Sequence, residues 1–503
     1  MANTEFDCLR ATAADLLHLL GTGKLSSVHL VEQCLAQIER HEPTLNALVS
    51  IAPRSVVLRI ANELDEERRG GRVRSPLHGI PVILKDCFIT ASSLGMKTCA
   101  GAVVFADAKA NKNAAIVQKL INAGLIIIAK GNMTELAGMK TLTMMPGWSA
   151  YGGQTISPYV GKIKENERLL GHSAPGGSST GPAVSVAAGF APLAVGAETI
   201  GSIITPSVRM ALYALKPTAG AQDTGGTYRL SEFYDAPGPL AKCAADLASM
   251  TGIMLGRSLH SLPGWSGLSL GFVDPVKWGL AEEMCEQLEG TVEQMTGEYE
   301  AAISKIRLET SNVKYPVEVA DVSELVVNGA DVVIPIAYWD FRNITIPEFI
   351  QCFDDCCVTS LDDIINFNEK NSSVAMPDHI AYHKPTSLSY PNQDQLIKAN
   401  TYTQPPNEIA DLKRRLRQHA RDLLDKTFEV AQVNLIVAPG DSPLCVHAAA
   451  AGYPIVAVPL GQLNYNSRPF GLCALAKADR EDLLLQFAAA FEKLLPARAI
   501  PTL

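Results

Sequence analysis

The chain has 503 residues, 47% of them hydrophobic and 19% charged, which is enough apolar material to bury a large core and excludes a mainly disordered protein. Its formal net charge of -9 is spread along the sequence and not gathered into a basic patch, so a nucleic-acid partner is excluded. Eleven cysteines without paired C-x-x-C spacing, and Glu5, Asp7, Arg10 and Asp15 where a signal peptide needs an apolar run, point to a reducing, cytoplasmic setting.

From Ser27 to about Glu39, the residues Val31, Cys34, Leu35 and Ile38 follow helical spacing, with Ser26 or Ser27 available as the cap. The run Gly79 to Leu84 reads as a buried strand that delivers Lys85 and Asp86 at its end. A helix face at Ile116, Val117, Leu120 and Ile121 ends at Gly124, and Leu125 to Ala129 is another buried strand, after which Asn132 to Gly138 is expected to resume as helix. The long uncharged stretch Ser173 to Ala197 is broken by Gly and Pro, so it reads as protein interior and no membrane span is expected. Within it lie a small-residue helix from about Gly181 to Ala188 and a strand near Pro192 to Val195.

Between about 255 and 425 the pattern is amphipathic helices and polar loops. There Cys352, Cys356 and Cys357 lack partners at metal-ligand spacing, so no metal is expected. The basic cluster from Lys413 to Arg421 reads as a solvated helix face. Asn434 to Ala438 and Ile455 to Pro459 are two further strands, and Leu483 to Leu494 is a closing helix. Helices alternating with all-apolar strands predict an α/β fold whose sheet is covered on both faces. Without an internal repeat or linker, residues 1–503 read as one domain.

The chemistry is concentrated in Gly171-His-Ser-Ala-Pro-Gly-Gly-Ser-Ser-Thr-Gly-Pro182 and, 24 positions after Ser178, in Glu198-Thr-Ile-Gly-Ser202. Gly-flanked serines on tight turns let backbone N–H groups point into a cavity, where they hold a developing oxyanion. The buried helix and strand around them argue against a flexible Gly/Ser linker. A serine nucleophile needs a base. The G-x-S-x-G elbow is missing, and the nearby His172 and His78 are equally explained by packing. Lys85 is the other candidate, because burial at the end of an apolar strand lowers an amine's pKa.

Ser75-Pro-Leu-His-Gly-Ile-Pro-Val-Ile-Leu-Lys85-Asp resembles the lysine motif of the amidase signature family, and the two serine segments resemble its serine motifs at the family spacing. Leu64-Asp-Glu-Glu-Arg68, the segment from Ala123 to Glu135, Leu215-Lys-Pro-Thr218, Gly452 to Gly461 and Arg468-Pro-Phe-Gly471 are similar to further family segments. Gly147-Trp-Ser-Ala-Tyr-Gly-Gly-Gln154, Pro206-Ser-Val-Arg209 and Leu212-Tyr213 resemble the branch common in fungal proteins more than the tRNA-dependent amidotransferases.

The resemblance implies a single α/β domain with a large mixed β-sheet sandwiched between helices, a signature core at about 70–250 and 430–475, and a variable region at about 255–425 that shapes the substrate pocket. It implies a Ser-cisSer-Lys triad. Lys85 is then the catalytic lysine, Ser178 the bridging serine after a cis peptide bond, and Ser202 the nucleophile, with backbone N–H groups of Thr199, Ile200, Gly201 and Ser202 as the oxyanion hole. The implied reaction is hydrolysis of a small-molecule amide, or an ester, through an acyl-enzyme, with no metal or organic cofactor. Acyl transfer to an amine or alcohol is the alternative, a degenerate binding protein a third reading, and a homodimer is left open. Two positions depart from the family pattern: Ile200 makes the pocket more crowded and apolar, and Ile204 stands where common members place Arg, so both bear on substrate preference.

Overall fold

The central apolar runs form strands buried along their length, packed between helices, among them amphipathic ones such as Ser27–Leu45. The computed structural model describes residues 5–259, 264–377 and 392–503. Among the described residues, eleven strands form one sheet. In chain order they are β1 (Leu48–Ile51), β2 (Pro81–Lys85), β3 (Ile126–Gly131), β4 (Leu193–Glu198), β5 (Tyr213–Lys216), β6 (Ala236–Ala241), β7 (Leu270–Phe272), β8 (Val313–Lys314), β9 (Leu435–Pro439), β10 (Ile455–Gln462) and β11 (Pro469–Leu475). Across the sheet the order is β1-β3-β2-β4-β6-β5-β10-β11-β9-β7-β8. The sheet is mixed: β2 runs parallel to β3 and β4, whereas β4, β6, β5, β10, β11 and β9 are successively antiparallel.

Most predicted elements are present with small boundary shifts. The first of the predicted helices runs Ser27–Leu45, after an unpredicted one at Ala13–Gly21, and the Ser26 side chain accepts the N–H of His29 as its cap. The small-residue helix is Thr180–Ala187, buried on every side. Among the described residues no helix is long and apolar enough to cross a membrane.

The helix expected at Asn132 to Gly138 does not form. Only a short turn exists at Glu135–Gly138, with Leu136 and Ala137 at φ 48° and 54°. Long-range partners have taken the groups a helical ladder would use: Thr134 N–H donates to Ser178 O and Leu136 N–H to Ala100 O. The basic cluster does lie on a helix, Pro406–Ala431, but it is not simply a solvated face. Arg417 donates to the carbonyls of Ala449, Ala450 and Phe233, and Lys413 pairs with the buried Asp340.

Strand β6 is not predicted by the pattern, because Ala-Pro-Gly-Pro-Leu-Ala reads as a loop. Its register explains how prolines are tolerated: β5 pairs only with Leu240 and Ala241, so Pro237 and Pro239 face β4 on one side and lie outside the paired stretch with β5 on the other. Gly238 is required there, since a Cβ would sit 2.0 Å from Leu215 O.

Candidate active site

Parallel pairing of Val82 with Leu193 and of Leu84 with Val195 sets the carboxyl ends of β2 and β4 side by side, the place where open α/β sheets hold ligands. Lys85 ends β2 and is 1% exposed. Its Nζ lies 2.7 Å from Ser178 Oγ and donates to Ala197 O at 2.8 Å. The Gly177–Ser178 peptide bond is cis.

The two serine turns are joined through the main chain. Ser179 N–H donates to Ser202 O at 3.0 Å, and the Ser179 hydroxyl sits against both the carbonyl and the N–H of Ala197. The second turn is shaped by Glu198, whose Oε2 accepts the N–H groups of Ile203 at 2.6 Å and Ile204 at 2.9 Å. The N–H of Gly201 faces the same carboxyl. Gly201 has φ +74°, a conformation that favours glycine. Among the described residues, the N–H groups of Thr199, Ile200 and Ser202 donate to no acceptor.

Burial lowers the Lys85 ammonium below its ordinary value, against the opposing pull of Cys87, Asp235 and Glu198. A neutral amine keeps an N–H for Ala197 O and a lone pair for the Ser178 hydroxyl. Asp235, whose role the sequence does not reveal, accepts the Thr199 hydroxyl and the N–H of Leu230. Burial raises its carboxyl above the ordinary value, against the opposing pull of those hydrogen bonds and of Lys85.

Ser178, Thr199, Ile200 and Ser202 line one cavity of about 250 Å³. Lys85 stands behind Ser178, outside the lining. From the variable region come Met284, Val333, Ala337, Tyr338 and Gln395. Among the described residues the lining contains no charged side chain. Ile200 lines this cavity, whereas Ile204 does not. Its side chain is fully buried in the core, so the position bears on packing and not directly on substrate preference.

The two histidines lie elsewhere. His78 Nε2 contacts Leu64 O at 3.0 Å, and His172 Nε2 contacts Glu286 O at 2.8 Å on the wall of a different cavity. Cys87, beside Lys85, is 1% exposed, and burial pushes its thiol up to about 12, so it carries no thiolate at neutral pH.

A further cluster braces the loop that leads into Ser178. Arg209 is fully buried at the end of the helix Ile204–Arg209, which follows the second serine turn. Its Nη1 donates to Gly171 O and Ala174 O, each at 2.8 Å, and its Nη2 to Leu170 O at 2.7 Å. Its Nε and Nη2 also pair with the two oxygens of Asp441, at 3.2 and 2.9 Å. All five guanidinium donors are used. Burial would raise Asp441, but Arg209 and Arg468 hold it below its ordinary value.

Known proteins share this fold. The family model described as Amidase matches residues 29–329, farther into the variable region than the motifs reach. An amidase-named relative from Schizosaccharomyces pombe is 30% identical across 98% of this chain and 86% of its own length. A glutamyl-tRNA(Gln) amidotransferase relative from Chloroflexus aurantiacus is 35% identical, but over 50% of this chain and 48% of its own. Among solved structures, the native peptide amidase from Stenotrophomonas maltophilia superposes with TM-score 0.82 at 28% identity, covering 98% of both chains. These define the class as enzymes that hydrolyse amide C–N bonds. The chain belongs to the amidase family, which favours hydrolysis over the amide-forming alternative.

Proposed function

We propose that this protein hydrolyses small, uncharged carboxamides through an acyl-enzyme on Ser202, with Ser178 and Lys85 as its proton relay. The observation that carries the reading is the 2.7 Å contact of buried Lys85 with Ser178, where Ser178 and Ser202 open onto one cavity. The Ser202 hydroxyl adds to the carbonyl carbon, and its proton passes through Ser178 to the neutral Lys85 amine. The oxyanion is met by backbone N–H groups of the turn Thr199 to Ser202, with that of Gly201 shared with Glu198. Lys85 returns the proton through Ser178 to the leaving amine as the C–N bond breaks. Water then adds to the acyl-enzyme and releases the carboxylic acid, restoring the Ser202 hydroxyl.

A lining without charged side chains supports an uncharged substrate, and Met139, Leu142, Met144, Leu230 and Val333 support an apolar acyl group. The likeness to a peptide amidase makes terminal amides of short apolar peptides the first substrates to try.

A fluorophosphonate probe is expected to label the wild-type chain on Ser202 and to leave Ser202→Ala unlabelled. Peptide mapping by mass spectrometry reads the site. Labelling that persists in a folded Ser202→Ala variant would remove Ser202 as the nucleophile.

A further inference from the structure

A second cavity of about 300 Å³ lies across a thin wall from the catalytic one. Leu170 and Met284 line the catalytic side, whereas His172, Cys285 and Glu286 line the other. The wall is held by Leu170 N–H donating to Met284 O at 2.9 Å and by the contact of His172 with Glu286 O. Most of the interior is apolar, from Val208, Leu280, Val292, Met295, Leu460 and Phe470.

Arg468 supplies a cation to this apolar space. Its side chain is 3% exposed, and its Nη1 donates to Asp441 Oδ2 at 3.3 Å. Among the described residues, its Nε has no acceptor, although it is buried. His172 Nδ1, in the same lining, is likewise buried without a partner. Asp441 does not neutralise both guanidiniums, because Arg209 already takes its two oxygens. The nearby Glu167 is held by the N–H groups of Arg168 and Ser173 and by the Ser173 hydroxyl. Glu282 and Glu286 also border the cavity, and Glu282 is half exposed and paired with Arg168. A buried guanidinium donor without an acceptor is costly, and a carboxylate satisfies it with a charge-assisted hydrogen bond.

We propose that this cavity is a binding site for a small monocarboxylate with a compact apolar body, its carboxylate on Arg468 and its body among Leu280, Val292 and Met295. That is the class of molecule that hydrolysis of an amide releases, yet binding here does not depend on the assignment of Ser202. Burial and the neighbouring Arg209 pull the Arg468 guanidinium down to about 10, which leaves it cationic at neutral pH. The volume sits at the lower end of small-molecule pockets, in keeping with a ligand of few carbons.

Calorimetric titration of the full chain with hexanoate tests this. Wild type and Ser202→Ala are expected to bind hexanoate equally, because the site lies outside the catalytic cavity. Arg468→Leu removes the cation, and Met295→Trp fills the cavity while leaving the polar cluster intact; each is expected to weaken binding about tenfold or more. Hexan-1-ol, of the same chain length without the charge, is expected to bind about tenfold more weakly than hexanoate. If Arg468→Leu does not fold, Met295→Trp still decides. The proposal is overturned by unchanged binding in Met295→Trp, by loss of binding in Ser202→Ala, by equal affinity for the alcohol, or by no heat at about 10 mM hexanoate.

Discussion

Replacing Lys85 with alanine is expected to lower the acylation rate on a small amide by about 10²- to 10⁴-fold, the usual range for loss of a general base. Folding should be nearly intact, since the change removes the amine together with the cost of burying it. Lys85→Arg is expected to rescue nothing, because a guanidinium does not give up its proton inside a protein. In the wild type, burial lowers the lysine ionisation, so the acylation rate should rise with pH through a midpoint below the unperturbed value of about 10.4. Stability has the same sign. Between the folded and unfolded ionisations the unfolded chain carries a proton that the folded chain lacks, so stability rises with pH across that window and the slope disappears in Lys85→Ala. Stopped-flow acylation and urea melts at several pH values measure both. Substantial turnover by a well-folded Lys85→Arg enzyme would refute lysine as the base.

Arg209→Met is expected to destabilise the fold by about 3–5 kcal/mol, the range for breaking a buried ion pair from one side. The loss should be large because three carbonyls of the loop before Ser178 and one face of Asp441 lose their donors together. Arg468 remains beside Asp441, so the carboxylate is not wholly stranded. Denaturant midpoints for Arg209→Met beside Arg59→Met, whose cation and its partner Glu63 are both exposed, separate a buried pair from a peripheral one. A change under about 1 kcal/mol would show that the loop holds itself, as surface pairs do.

Much of this enzyme is legible in its sequence where the physics is local. Strands such as Ile126–Gly131 announce themselves because both faces are buried and the run Ile126 to Ala129 is apolar throughout. The serine turns are visible because a left-handed backbone favours glycine, as at Gly201. What stays hidden depends on distant partners. Strand β6 reads as a loop until β4 supplies its ladder, and Asn132 to Gly138 reads as a helix until Ser178 and Ala100 claim its N–H groups. Asp235 gives no signal at all, since only the fold brings it near Lys85 and Thr199. The same holds for Arg468, which belongs to a recognisable motif but acquires meaning from a cavity built by residues nearly two hundred positions away.

The antiparallel match of β5 with β10 also sets a timetable for synthesis. Lys216 pairs with Ile455, so the strand that closes the edge of β5 leaves the ribosome long after β5 itself. At about 5–20 residues per second the interval is on the order of tens of seconds. Throughout it, the segment bearing Lys85, Ser178 and Ser202 has been translated while β5 presents an open row of backbone donors and acceptors, a template for pairing with another nascent chain. Yield of active protein therefore depends on how well the cell shields that edge during translation, and fragments that stop before residue 455 inherit the exposure permanently.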